Sequence, residues 1–182
     1  KTIQFGQGDF SFTTTPSITS SHDYVTLRGR GFGTRFLSAT DIPCLYLDGC
    51  RYVTVVNLAF ANDSLTSKTS AFVDLGDATT FNRFNHIQMM QNITGGGTTQ
   101  KGTGFRFILD GAGATYFNLF NDIIYRGLNY CNTVDSTGSA TSGVWCNGNN
   151  WINSAGFYFL KFIEVSQKGG GGRMGGRGLV FA

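Results

Sequence analysis

Apolar and polar residues alternate along this chain in short runs, and the runs recur, with drift, as a strand-rich unit at irregular spacing. Written in parallel, the units are Val53–Phe60, Phe81–Met89, Phe117–Tyr125 and Phe157–Val165. Each follows a shorter apolar run ending near a glycine: Leu45 to Gly49, Phe72 to Gly76, Phe105 to Gly111 and Val144 to Gly148. Those glycines are 27, 35 and 37 residues apart. No segment longer than about ten residues keeps the i, i+3, i+4, i+7 spacing of an amphipathic helix without interruption. In Phe105–Asp110 the alternation sends Phe105, Phe107 and Leu109 inward and Arg106, Ile108 and Asp110 outward. A repeat of this size built from strands and turns predicts an all-β solenoid of stacked coils, about five or six rungs deep, with minimal helix.

The whole of residues 1–182 reads as a single solenoid domain. Residues 1–40 are the entry region, with short alternating runs at Thr2–Phe5, Asp9–Phe12, Ser17–Thr19 and Tyr24–Leu27. Regular rungs are expected over 41–168, then a Gly-rich loop at 169–178 and the start of a further rung at 179–182. That last run has no partner after it, so the chain is expected to be a piece of a longer protein. Asn62–Ser70, Asn92–Gly104, Asn129–Gly143 and Lys168–Gly178 read as insertions hanging from one side of the coils. Asn57, Asn85 and Asn121 hold the same place in successive units and predict a structural ladder of hydrogen-bonded asparagines, which Lys161 ends in the next unit.

Composition narrows the function classes. Of 182 residues, 41% are hydrophobic, ample for a core, while charged residues make up only 14%, against roughly 25% in ordinary globular proteins. Gly (26 residues), Asn, Ser and Thr take their place, and Phe is abundant at 17. The net charge of +3 is scattered apart from Arg28, Arg30 and Arg35 in a glycine-rich turn, so no basic stripe points to nucleic acid. Cys44, Cys50, Cys131 and Cys146 lack zinc-ligand spacing and read as small core hydrophobes; a Cys44–Cys50 or Cys131–Cys146 disulfide stays open. Of the two histidines, His22 falls in a turn, and His86 reads as packed or hydrogen-bonded rather than as a base. No apolar run is long enough to span a membrane, and no metal or cofactor is implied.

The opening Lys1–Phe10, Ile18 and Tyr24–Thr34, with the later Val-Thr-Val-Val-Asn-Leu-Ala-Phe at Val53–Phe60, resembles the pectate-lyase-like superfamily of right-handed, single-stranded parallel β-helices. The likeness runs from Thr2 to Val165. It is specific for coil geometry and not for activity, because members include pectate lyases, polygalacturonases, epimerases and the tailspikes and tail fibres of bacteriophages.

Polysaccharide-acting members work on the outer face of one sheet, where carboxylates and basic residues line a groove. The outward residues that alternation places on such a row are Tyr24, Thr26 and Arg28, then Tyr46 and Asp48, Asp74, Arg106 and Asp110, and Trp145 and Asn147. As catalytic carboxylates the candidates are Asp48, Asp74 and Asp110. Asp48 and Asp110, two rungs apart at about 4.8 Å per rung, would be separated by roughly 10 Å, near the upper end for an inverting glycosidase. As glycan contacts the candidates are Tyr46, Arg106, Trp145 and Asn147: a cation for an acidic sugar, rings for stacking and an amide for hydroxyls. With a single Glu in the chain, Glu164, the acidic cluster of calcium-dependent lyases is missing. The resemblance and the thin charge together lead to an expected virion tailspike or tail-fibre protein, extracellular and homotrimeric, that recognises host cell-surface polysaccharide. In such a trimer Ile108 and Phe159 would be covered. The alternatives are a polysaccharide hydrolase or lyase, which could itself be a virion-borne depolymerase, and a bacterial surface adhesin.

Overall fold

The computed structural model describes residues 1–38, 40–62, 69–91, 102–109, 114–136, 145–157 and 161–167. These form a parallel β-solenoid with a single 3-10 turn at Ser20–His22 as the only helical element among them. The first sheet stacks Thr2–Gln4, Thr26–Arg28, Thr54–Asn62, Arg83–Gln91, Leu119–Arg126 and Asn150–Ile152, in that order and all parallel, with Gly8–Phe12, Thr34–Ser38 and Ala155–Phe157 extending it. The second stacks Ser17–Thr19, Leu45–Asp48, Ala71–Leu75, Thr103–Leu109, Tyr130–Ser136 and Lys161–Gln167. A narrow third face pairs Ala114–Tyr116 with Trp145–Asn147, continued by single bridges from Arg51 to Thr80 and from Thr80 to Tyr116. Four complete three-sided coils result, with partial coils at either end, slightly fewer than the five or six expected.

The inside is a column of rings. Phe84, Phe120 and Trp151 stack nearly parallel at centroid distances of 5.3 and 4.7 Å, and Phe105 and Phe107 meet Phe120 edge-on. Phe36, Phe60, Leu47, Leu75, Ile87 and Ile123 fill the remaining interior positions. Each ring therefore packs against the coil above and the coil below, which is why a two-residue alternation along the strand suffices to build the core. One buried polar chain crosses the interior: Trp151 Nε1 donates to Tyr125 Oη (3.2 Å), Tyr125 Oη to Asn132 Oδ1 (3.1 Å) and Asn132 Nδ2 to the Phe162 carbonyl (3.1 Å). Burial pushes the Tyr125 phenol well above its ordinary range, so it stays a neutral donor.

The four cysteines are thiols. Burial drives Cys50, Cys131 and Cys146 up to about 12, so almost no thiolate exists at pH 8. Iodoacetamide at pH 8 is expected to leave the native protein unlabelled and to label all four cysteines once the chain is unfolded in urea, read by mass spectrometry. Labelling of native Cys50 or Cys131 at the unfolded rate would contradict their place inside the coils.

Two units read as equivalent in the sequence are not equivalent in space. Lys161–Gln167 lies in the second sheet beside Tyr130–Ser136, so it does not follow Leu119–Arg126; Asn150–Ile152 and Ala155–Phe157 do. Residues 130–136, expected inside an insertion, form that second-sheet strand. The strand beginning at Trp145 belongs to the third face. The Gly-rich loop and the rung start at 179–182 lie outside the described residues.

Candidate functional site

Along the outer side of the second sheet the register sets Ser17, Tyr46, Asp74, Arg106, Thr133 and Glu164 in one column. Tyr46, Asp74 and Arg106 thus come together as the alternation predicts. The Arg106 guanidinium grips Asp74 with two bonds, Nε to Oδ1 at 2.9 Å and the terminal nitrogen to Oδ2 at 2.5 Å. Only 6% of the Asp74 side chain is exposed, and 32% of Arg106. Hydrogen bonding to Asp74 raises the Arg106 pKa, and burial opposes it less strongly. A carboxylate held this way is an anion neutralised in place, poorly suited to taking or giving a proton. Asp48 stands two positions further along its strand. The point where a Cβ on Gly76 would sit is 2.6 Å from Tyr46 Oη and 2.9 Å from Asp48 Oδ1, so those two oxygens converge over the space the glycine leaves. Trp145 and Asn147 are not part of this face; their strand pairs with Ala114–Tyr116 on the third. Tyr24, Thr26 and Arg28 lie at and along the first sheet, apart from Tyr46 and Asp74. Asp110 lies outside the described residues.

The buried asparagine ladder lies three residues before the expected one in the same coils, at Asn82 and Asn118 rather than Asn85 and Asn121. Asn85 and Asn121 do pair, Asn121 Nδ2 donating to Asn85 Oδ1 at 2.6 Å on the exposed side. Their next neighbours in register are Val56 and Ile152, so neither Asn57 nor Lys161 belongs to that column. Asn57 instead takes the bend of the first sheet, above His86, Asp122 and Asn153, all four with a left-handed backbone (φ 50–58°). There His86 Nδ1 is 2.6 Å from Asp122 Oδ2 and its ring stacks on Phe32, a packed and hydrogen-bonded histidine. The buried ladder is Asn82–Asn118–Asn149. Asn118 Oδ1 accepts from Asn82 N (2.9 Å) and Nδ2 (3.1 Å), and Asn149 Oδ1 does the same for Asn118 (3.0 and 2.9 Å). The spare amide hydrogens go to the carbonyls of Cys50, Thr79 and Thr115.

One residue before this ladder, at the corner between the third face and the first sheet, runs a second column that the sequence reading did not identify. Tyr24, Tyr52, Phe81 and Phe117 stack ring on ring at 5.0, 5.4 and 5.5 Å, with interplanar angles of 12, 10 and 24°. All four have a left-handed backbone, φ 56–62°. They are 66, 46, 38 and 54% exposed. The equivalent residue in the following coil is Gly148, also at positive φ, and Phe117 lies flat over it: a Cβ there would be 2.5 Å from the ring. Beside this ridge a groove of 320 Å³ spans three coils. Its wall is Tyr52, Phe81 and Phe117, and its floor is Thr54, Asn82, Arg83 and Leu119. Arg83 is exposed and forms no ion pair with any described residue.

The signal for both columns is an aromatic residue followed by Asn before a strand, Phe81-Asn82 and Phe117-Asn118, with Tyr52-Val53 as the earlier equivalent. Among the described residues no three His, Cys, Asp or Glu side chains gather where they could hold a metal ion. No family model matches the chain, and comparison with curated proteins and with solved structures gave no match.

Proposed function

We propose that this solenoid is a host-attachment protein of the tailspike or tail-fibre kind, which binds cell-surface polysaccharide along the outside of its coils without cutting it. The observation that carries the reading is the aromatic ridge. A bulky residue in the left-handed region is a genuine outlier, with a cost of order 1–2 kcal/mol each. Glycine, which has no such cost, stands at the same position one coil on. Four consecutive coils nevertheless hold exposed rings there, and strain kept at a solvent-facing row argues for use rather than for folding. Stacking holds the rings rigid before any ligand arrives, and rigid aromatic edges beside polar floor residues suit the mixed apolar and hydroxylated surface of a sugar chain. In this role the protein works on the virion exterior. A homotrimer is the expected assembly, with outward Ile152 and Phe157, 40 and 54% exposed, as apolar residues for neighbouring chains to cover.

Retention on purified host surface polysaccharide, with no release of reducing ends or unsaturated sugars, is the expected result. Replacing Phe81 and Phe117 together by glycine is expected to remove that retention while the far-UV spectrum stays β-type. A second reading, polysaccharide hydrolase or lyase, has one point in its favour: the approach of Tyr46 Oη and the Asp48 carboxylate over Gly76. Product release that disappears in Asp48→Asn would overturn the binding-only reading and establish the enzyme.

A further inference from the structure

We propose that the groove beside the aromatic ridge is an anion-selective subsite, and that it takes a polysaccharide carrying isolated acidic sugars, with Arg83 as the anchor for the carboxylate. The inference rests on the glycan-binding reading and adds the class of glycan.

The argument begins with what faces the groove. Of its seven lining residues, Arg83 alone is charged, and it sits in the middle coil of the three the groove spans. Its register partners in the coils on either side are Thr54 and Leu119, so the cation has an uncharged floor position on each side. The Asn82 amide next to it is committed to the buried ladder and to the Cys50 carbonyl, leaving the guanidinium as the groove's main donor. Two further exposed arginines stand near the ridge: Arg51, directly before Tyr52, and Arg28, on the first sheet one coil earlier. Neither pairs with a carboxylate among the described residues. Asp23, in the coil before Arg51, accepts the Arg51 backbone N–H at 2.7 Å. By contrast, Arg35 and Arg106 are each held by an aspartate. The groove therefore carries one cation on its floor beside an apolar wall.

A guanidinium binds a carboxylate through two parallel hydrogen bonds, which fixes orientation as well as charge. With coils about 4.8 Å apart, a three-coil groove is roughly 10 Å long. One cation over that length suits one carboxylate flanked by neutral sugars whose C–H faces meet Tyr52 and Phe117. A polymer charged at every residue would place unpaired anions over Thr54 and Leu119.

The test uses bacterial capsular polysaccharides with one uronic acid per repeat, each in native form and with its carboxyl groups reduced to alcohols, against the whole chain. Native polymers are expected to bind, with affinity falling as salt rises, and carboxyl reduction to weaken binding at least about tenfold. Arg83→Gln should cause a similar loss without moving the denaturation midpoint, since Arg83 is exposed and has no ion pair among the described residues. Arg126→Gln, an exposed arginine farther along the same sheet, makes the same change in net charge and should leave binding intact. Equal affinity for native and reduced polymers, or unchanged binding in Arg83→Gln, overturns the anionic subsite and leaves glycan binding standing. Failure to bind either form of any polymer overturns both. If Phe81→Gly or Arg83→Gln abolishes self-association in sedimentation instead, the ridge is a contact between copies and the proposal falls.

Discussion

Asn118→Ala is expected to destabilise the protein by about 3–5 kcal/mol, because the side chain serves three coils at once. Its Oδ1 accepts two hydrogens from Asn82, and its Nδ2 donates to Thr79 O and Asn149 Oδ1. Alanine strands the buried Asn82 N–H and the Thr79 carbonyl, and each stranded buried group costs about 1–3 kcal/mol. Asn118→Asp keeps the acceptor for Asn82 but sets a carboxylate oxygen against two other acceptors, so it should fare no better at neutral pH. The contrast is Asn121→Ala, which loses one exposed amide bond to Asn85 and should cost less than about 1 kcal/mol. Urea denaturation gives the ordering, and hydrogen exchange at the Asn82 amide gives the location. Equal losses in Asn118→Ala and Asn121→Ala would mean that the buried ladder does not bear on stability.

That pair of variants also marks how far the sequence could be read. The solenoid was legible because its core needs only a two-residue alternation, and Phe105, Phe107 and Leu109 point inward as that alternation requires. Tyr46, Asp74 and Arg106 were brought to one face for the same reason. The errors came from phase. Val53 and Phe81 are both the first apolar residue of their unit, and aligning them shifts the register by one. In the structure Phe81 matches Tyr52 and Val53 matches Asn82. Because alternate residues face opposite sides, a slip of one exchanges inside for outside. It took Asn57 into the wrong column, passed over Asn82 and Asn118, and hid the stacking of Tyr24, Tyr52, Phe81 and Phe117 in one column. Nothing in hydropathy separates Phe81, outside, from Phe84, inside; the difference is a left-handed backbone, which residue type disfavours rather than announces. Loop lengths blurred the rest. Successive first-sheet strands are offset by 24, 28, 29, 36 and 31 residues, and the apolar run Phe157–Val165 straddles two faces, Phe157 ending a first-sheet strand and Lys161 opening a second-sheet one.

The corner geometry explains why the ridge and the buried ladder are neighbours. A left-handed residue turns the chain sharply, and the next residue then points inward with its backbone N–H facing along the solenoid axis. An asparagine there can take the N–H of the coil before it and hand its own to the coil after. The corner residue itself is pushed outward, one above another at the coil spacing, close to the separation at which aromatic rings stack. One turn motif thus produces a buried amide column that secures the coils and an exposed aromatic column that can meet a ligand. The two are adjacent in sequence and separable by mutation.

Phe120→Ala tests that separation from the interior. Phe120 is fully buried between Phe84 and Trp151 and meets Phe105 and Phe107 edge-on. Removing a buried phenylalanine ring costs about 3–5 kcal/mol. The upper part of that range is expected here, because ladder hydrogen bonds fix the distance between coils and keep the walls from closing on the cavity. Trp151 loses its stacking partner, so its emission should shift to the red at a lower urea concentration than in the wild type. Phe81→Gly also deletes a ring stacked on Tyr52 and Phe117 and edge-on to Tyr116, at about 0.5–1.5 kcal/mol per aromatic contact. It relieves a left-handed phenylalanine at the same time, at about 1–2 kcal/mol. The relief offsets part of that loss, so Phe81→Gly should cost clearly less stability than Phe120→Ala even as polysaccharide retention declines. If both variants are destabilised alike, Phe81 is a core residue, the corner register is wrong, and the ridge loses its claim to be a binding surface.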